Sequence, residues 1–401
     1  MPKTSSDKKN TKKKTAHPKQ LIIIESKLND YLSDLVSINS INPDLSSEGQ
    51  GEHEIAQYVA SHFKKNGIDN NLEEVISERY NVSALLEGQD RSQILLMNGH
   101  LDTVGAEGIE NPFTLRKDGD RLYGRGTYDM LAGCAIQMCL AEYFKDNLCP
   151  VSLAFTFVCD EENKSIGMEH LIKNFIPSLP STPFLGIFME PTEGKIGICH
   201  KGYNWYKLKI KGLAAHGSRP EEGINAIFPL QYALAELNTI NDNLSKKDPH
   251  PYLGHATLHP GKIDGGSAQS VIAAEATLYW ERRTLPGEDQ KQLDQELEQV
   301  ITAVNDAPGN HKVSADQIFC RPPNQSDEDH YIKILSEIIG QNSYKGMSYW
   351  ADSALAAEVG IPSILYGPAG HGAHAIDEWV SESSMINCYK SLINFISNLE
   401  K

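Results

Sequence analysis

Residues 94–97 form an apolar run that leads straight into His100 and Asp102, and the same pattern recurs along the chain. Val151–Val158 is followed by Asp160, Glu161 and Glu162, the run 184–189 ends at Glu190, and 362–366 leads towards His371 and His374. A shorter run, 121–124, precedes Asp129. Each run has the length and composition of a strand, and each ends in a residue type that binds metal. Side chains so far apart in sequence converge only if the strands are parallel and adjacent, because open α/β sheets gather ligands at the carboxyl ends of their strands. This requirement predicts an α/β fold with a mainly parallel central sheet. The segments between the runs agree: 20–37, 52–65 and 131–144 have helical spacing, and Val151–Val158 is the continuous apolar run that a strand covered on both faces needs.

The texture changes near residue 202. Residues 204–211 alternate apolar and lysine positions, as a half-exposed strand does. A turn with His216, a helix over 223–240, strands over 256–263 and 270–280, a helix over 288–304 and a strand over 313–319 follow. The order β-α-β-β-α-β is that of a small ferredoxin-like α+β unit.

His100, Asp102, Asp129, Glu161, Glu162, Glu190 and His374 form a set of two imidazoles and five carboxylates, which suits zinc or a similar divalent ion. The carboxylates exceed what one tetrahedral site uses. Two ions about 3.5–4 Å apart that share a carboxylate account for the surplus. Asp102, two residues after His100, is placed to accept the other ring N–H and fix the tautomer. Simpler readings exist for single residues: Asp129 capping the next helix, 160–162 complementing a helix dipole, Glu190 in a turn before Pro191. None of them explains why all these strand ends finish alike.

A net charge of −16 argues against nucleic acid as a partner of the main body. The first 20 residues hold seven Lys and one Asp and read as a solvated, disordered tail, or alternatively as a tether to acidic partners. No apolar run approaches the roughly 20 residues that span a bilayer, and 21–24 is too short for a secretory signal. Seven cysteines without a CxxC pair suggest free thiols in a reducing, cytoplasmic setting.

HLDTV (100–104), GRGTYDM (124–130), DEE (160–162), EPT (190–192), GLAAHGSRP (212–220) and GPAGHGAHAIDE (367–378), in this order, resemble the M20 metallopeptidase family from about residue 20 to the end. The resemblance implies a zinc-peptidase-like catalytic domain (20–201 and 320–401) behind a basic tail (1–19), interrupted by a lid domain (202–319) that usually dimerises. It implies two Zn2+ ions, with Co2+ or Mn2+ as alternatives. His100 and Glu190 would be terminal ligands of one ion, Glu162 and His374 of the other, and Asp129 the bridge. Glu161 is similar to the family's general base and Asp102 to the partner of His100. His216 resembles a histidine that reaches the neighbouring subunit's site to stabilise an oxyanion, Arg283 a clamp on the substrate carboxylate, and Asn225 a lid residue near the substrate. Each of His216 and Arg283 also has a purely structural reading, as part of a turn. The family places the ligand before xxxE, which selects His374 with Glu378 over His371. Asp352, after a Tyr-Trp pair, stands where relatives often carry Thr-Asp and is a weaker candidate for substrate contact. Leu131 stands where relatives often carry Lys, a position that is not a ligand.

Residues 347–380 most resemble the acetylornithine-deacetylase and desuccinylase branch. The expected activity is therefore hydrolysis of an N-acyl amino acid by metal-activated water, in a homodimer with no membrane partner. A carboxypeptidase or dipeptidase on the same metals is the alternative. A non-catalytic binding protein on this fold is a remote one, since every ligand position is filled.

Overall fold

The structure is a computed structural model that describes residues 18–340 and 342–399. The tail expected over 1–19 lies outside the described residues except for its last two, which open the first helix, Pro18–Val36.

The centre of a nine-stranded sheet is a parallel set, Val151–Val158, Asp90–His100, Leu185–Phe188 and Ser363–Leu365, in that spatial order. Helices cover both faces. Pro18–Val36, His53–Lys65, Ala132–Asp146, His330–Ile339 and Glu382–Ser397 contribute to one core, which includes Leu32, Phe63, Phe155, Phe157 and Phe395. Ile166–Asn174 and Ser353–Glu358 close the other, with Leu96, Val158 and Phe188. Full burial of such a side chain contributes about 1.5–3 kcal/mol. Burial on both faces is why these strands read as unbroken apolar runs rather than as alternating ones.

The parallel centre is the one expected, and antiparallel strands flank it on both sides, so the nine-stranded sheet as a whole is mixed. Arg79–Leu86 runs antiparallel to Val151–Val158 and carries Asn71–Ile76 on its outer edge. On the other side Ile196–His200 runs antiparallel to Ser363–Leu365. The connections explain this. Three residues join Arg79–Leu86 to Asp90–His100, and the turn before Ile196–His200 reverses through Glu193 and Gly194, both at positive φ. A parallel return would need a crossover of a dozen residues or more. The run 121–124 also departs from expectation. Arg121–Tyr123 belongs to a separate small antiparallel sheet with Arg116–Asp118, Gly370–His371 and Trp379–Ser381.

Gly202–Lys211, Thr257–Gly265, Glu275–Thr284 and Lys312–Arg321 form their own antiparallel sheet. Leu230–Ser245 and Gln290–Asn305 pack on the face that carries Tyr206, Leu208, Leu278 and Trp280. The element order is the anticipated β-α-β-β-α-β. The helix expected over 223–240 starts only at Leu230. Asn225 Oδ1 accepts the Ile227 amide at 2.8 Å and makes a local turn, and Pro229, which lacks an N–H, immediately precedes the helix.

Close packing brings the helix Ala132–Asp146 up to the end of a ligand-bearing strand. A Cβ on Gly133 would stand 2.3 Å from the Met189 carbonyl oxygen, one residue before Glu190. Gly133→Ala is expected to destabilise the protein by about 1–3 kcal/mol despite the better helix propensity of alanine. The check is a lower urea midpoint at unchanged m-value.

Candidate metal centre

His100 is the last residue of its strand and is buried. Its Nδ1 lies 2.9 Å from the Asp102 carbonyl oxygen, so Nδ1–H donates there. That leaves Nε2 facing Asp129 at 3.3 Å, Glu161 at 3.9 Å and Glu190 at 4.0 Å. The Asp102 carboxylate was expected to take the ring N–H, but its Oδ1 is 3.6 Å from Nδ1. It is occupied elsewhere: it accepts the amides of Glu161 and Glu162, each at 3.1 Å, and the Asn42 side chain at 2.9 Å. Asp102 thus orients the imidazole through its backbone and the two glutamates through its carboxylate.

Glu161 and Glu162 sit in a tight turn after Val151–Val158. Asp160 and Ser165, at its two ends, have φ of 66° and 61°, a region non-glycine residues seldom occupy. Glu190 follows Leu185–Phe188, which pairs parallel with Asp90–His100 on the edge opposite Val151–Val158.

Asp129 and His374 arrive by a different route. Glu378 accepts the amides of Gly126 and Tyr128 at 2.9 Å and of Asp129 at 3.1 Å, and the Arg125 guanidinium at 2.6 Å. Arg125 also donates to the carbonyls of Gly105 and Ala375. One buried Arg–Glu pair therefore fastens the Asp129 loop to the His374 loop. In the sequence Glu378 served only as a spacing mark for His374, and Arg125 carried no signal.

The result is two groups of converging ligand atoms, His100–Asp129–Glu190 and Asp129–Glu162–His374. Within each group the atoms lie within 4.8 Å of one another, and Asp129 belongs to both. His374 Nε2 is 2.9 Å from Glu162 and 3.4 Å from Asp129. His371 instead faces Asp377 at 3.5 Å. Of the remaining candidates, His216, Asn225 and Arg283 lie outside these groups, whereas Asp352 acts on Glu161 and Glu190 through its charge. His216 is exposed and bonds Ser218, Asn225 holds its own turn, and Arg283 pairs with Glu281 at 2.6 Å while lying over the Tyr203 ring. Asp352 is buried, and neither of its oxygens has a hydrogen-bond partner among the described residues.

The electrostatics ask for cations. Burial drives the carboxyls of Glu161 and Glu190 well above the usual range, reinforced by their acidic neighbours. Burial and the nearby Asp129 push Glu162 up to about 7. For Asp129, burial is outweighed by hydrogen bonds from both imidazoles, and its carboxyl falls below the usual range. His100 is raised well above the ordinary value: burial opposes its charge, but the bond to Asp129 and the surrounding carboxylates prevail. Bonds to Asp129 and Glu162 raise His374 to about 10. Four carboxylates thus face two imidazoles, and buried unpaired charge is costly. Glu162 Oε1 is buried with no partner among the described residues. The residues fit two divalent cations, one held by His100, Asp129 and Glu190, the other by Asp129, Glu162 and His374. Nitrogen and oxygen donors without thiolate suit Zn2+ and its harder neighbours alike.

A pH dependence follows. In the metal-free protein the pKa of His374 is about 10 against an ordinary 6.5, so its protonation adds stability below about pH 6.5 that is lost as pH rises through 10. Glu162, at about 7 against 4.5, acts in the same direction between those values. Chelator-treated protein should therefore melt lower as pH is raised from 6.5 towards 10. Adding Zn2+ should raise Tm and release protons at pH 7, measured by calorimetry in buffers of different ionisation enthalpy.

Residues 96–398 match the family model described as peptidase family M20/M25/M40. Acetylornithine deacetylase of Aliivibrio fischeri is 28% identical over 363 residues, which is 88% of this chain and 93% of that one. The fold resembles human carnosine dipeptidase 1, with a TM-score of 0.75 at 14% identity over 94% of this chain and 97% of that one. It also resembles a Bacillus subtilis protein described as a dinuclear metal-binding peptidase of the M20 family, with a TM-score of 0.67 at 15% identity over 94% and 99%.

Proposed function

The chain belongs to peptidase family M20/M25/M40 and is a metal-dependent amidohydrolase, and from that premise we propose that it removes the acyl group from N-acyl amino acids with the aid of two Zn2+ ions. The observation that carries this reading is the pair of ligand groups that meet at Asp129, with Glu161 beside them. Similarity to acetylornithine deacetylase along most of the chain supports the acyl amino acid as substrate.

When bound, the two ions lower the pKa of a water towards about 7 and polarise the amide carbonyl. In this reading Glu161 accepts the proton of the attacking water and returns it to the leaving amine. Asp102 holds the backbone of Glu161 and Glu162, so ligand and base move as one unit. Arg283, about one-third exposed, offers a guanidinium fork to the substrate carboxylate. His216 Nδ1 accepts the Ser218 amide, which makes Nε2 its donor atom, suited to a developing oxyanion. His216 lies outside its own chain's ligand groups, so this role requires a second subunit. Residues 202–319 then act as lid and dimer surface, with Asn225 near the substrate, between catalytic segments 20–201 and 320–401. The described cysteines are all free, which fits a reducing cytoplasm.

Amine release from N-acetyl-ornithine, compared with a dipeptide that ends in a free carboxylate, tests the substrate. Chelator-sensitive turnover of the acyl amino acid is expected, and a preference for the dipeptide moves the protein to the peptidase reading. Glu161→Gln should retain its metal while kcat falls about 10²–10⁴-fold. A fully active Glu161→Gln protein ends the assignment of the base.

A further inference from the structure

Directly behind the ligand groups lies a second set of buried charges. Arg79, the first residue of Arg79–Leu86, is 4% exposed. Its Nε and Nη2 donate to the two oxygens of Glu52 at 2.5 and 2.6 Å, and Nη2 also donates to Asp160 at 3.1 Å. The Asp160 amide donates back to Glu52 at 3.2 Å. Asn42 Nδ2 then bridges two carboxylates, at 3.0 Å to Asp160 and 2.9 Å to Asp102. Asp102 holds the amides of Glu161 and Glu162 and, through its carbonyl, the His100 ring. Glu52, Asp102, Asp160 and Asn42 are all at most 1% exposed.

We infer that Arg79 and Asn42 are positioning residues for the hydrolysis: they fix the turn that aims Glu161 and Glu162. The inference rests on the proposed function. Asp160, at positive φ, anchors that turn, and the amides of Lys164 and Ser165 converge on its carbonyl. Its carboxylate is held by Arg79 and Asn42, neither of which belongs to the turn. Three buried carboxylates, of Glu52, Asp160 and Asp102, are linked through this one guanidinium and one amide. The guanidinium reaches two carboxylates at once because its donors are fixed in a planar fork, whereas a lysine ammonium supplies the charge without the fork. Removing the fork leaves Glu52 and Asp160 in mutual repulsion, and the turn relaxes away from the position that the ligand and base require. Partners one step beyond the ligands commonly carry a 10–100-fold effect on metal affinity or activity.

The test uses full-length Arg79→Met, Arg79→Lys and Asn42→Ala, with circular dichroism to select folded protein. Folded Arg79→Met should show kcat at least about tenfold lower with KM within about twofold, and Zn2+ affinity, measured by chelator competition, weaker by about tenfold or more. Arg79→Lys should recover part of both losses. Asn42→Ala should show the same split more mildly. If Arg79→Met does not fold, Asn42→Ala decides. Wild-type kcat and wild-type Zn2+ affinity in the folded variants would overturn the inference, and so would equal losses in Arg79→Lys and Arg79→Met. Chelator competition needs no substrate, so a wrong substrate assignment leaves this reading of the network intact and separately scored.

Discussion

Mutual repulsion among Asp129, Glu161, Glu162 and Glu190 is the constraint on which the rest of the structure depends. Each carboxylate is brought to the carboxyl end of the parallel strands by elements whose cores are apolar and well packed, and packing alone would not keep them together. Two imidazoles reach into the group from opposite sides, His100 from the strand end and His374 from the far loop, and both face Asp129. That shared contact is why Asp129 keeps its negative charge while burial drives the other three towards protonation. A carboxylate that stays ionised between two nitrogen ligands is suited to bridge two cations, and its neighbours are suited to close one cation each.

Around this centre the fold places its cations where they fix backbone rather than neutralise the site. Arg125 pairs with Glu378, which in turn accepts the amides of Gly126, Tyr128 and Asp129 and so shapes the Asp129 loop. Arg79 is spent on Glu52 and Asp160. Neither guanidinium contacts a ligand carboxylate in the hydrogen bonds and ion pairs described above. If either did, it would compete with the metal for the same lone pairs. Keeping arginines one residue back leaves the inner charge unbalanced and therefore available to divalent ions.

The residues readable from sequence are those whose position follows from strand periodicity. His100, Glu161, Glu162 and Glu190 come directly after long apolar runs, and the runs are parallel neighbours, so a one-dimensional pattern becomes a three-dimensional cluster. Asp129 was reached for a different reason than the one expected, because its preceding strand, Arg121–Tyr123, belongs to a small separate sheet. The run 121–124 is legible as a strand, but its sheet mates Arg116–Asp118, Gly370–His371 and Trp379–Ser381 are two or three residues long and carry no periodic signal. Arg79, Glu52, Asn42 and Arg125 were missed because a single charged or amide residue in an ordinary stretch looks solvated until its partner is known, and here the partners lie 27 to 253 positions away. The mixed character of the sheet was more accessible: three residues between Arg79–Leu86 and Asp90–His100 exclude a parallel crossover. The late start of the helix Leu230–Ser245 was likewise marked by Pro229.

The turn that bears Glu161 and Glu162 is also gripped from the other side. Arg321, at the end of the last strand of the inserted sheet, donates to the Lys164 carbonyl and to Glu169 at 2.9 Å. Trp350 bonds the Pro322 carbonyl at 3.0 Å and packs edge-on against Tyr203, at the start of the first inserted strand. Gly202 sits where the chain enters the insert, and a Cβ there would lie 2.4 Å from the Pro323 nitrogen, where the chain leaves it. Entry and exit are therefore packed against each other, next to the turn. Any rotation of the insert must either carry Arg321 with the turn or break its two bonds. The same six-residue turn is thus held by the core through Arg79 and by the insert through Arg321, so the position of Glu161 and Glu162 is linked energetically to the orientation of a sheet that contributes no atom to the two ligand groups.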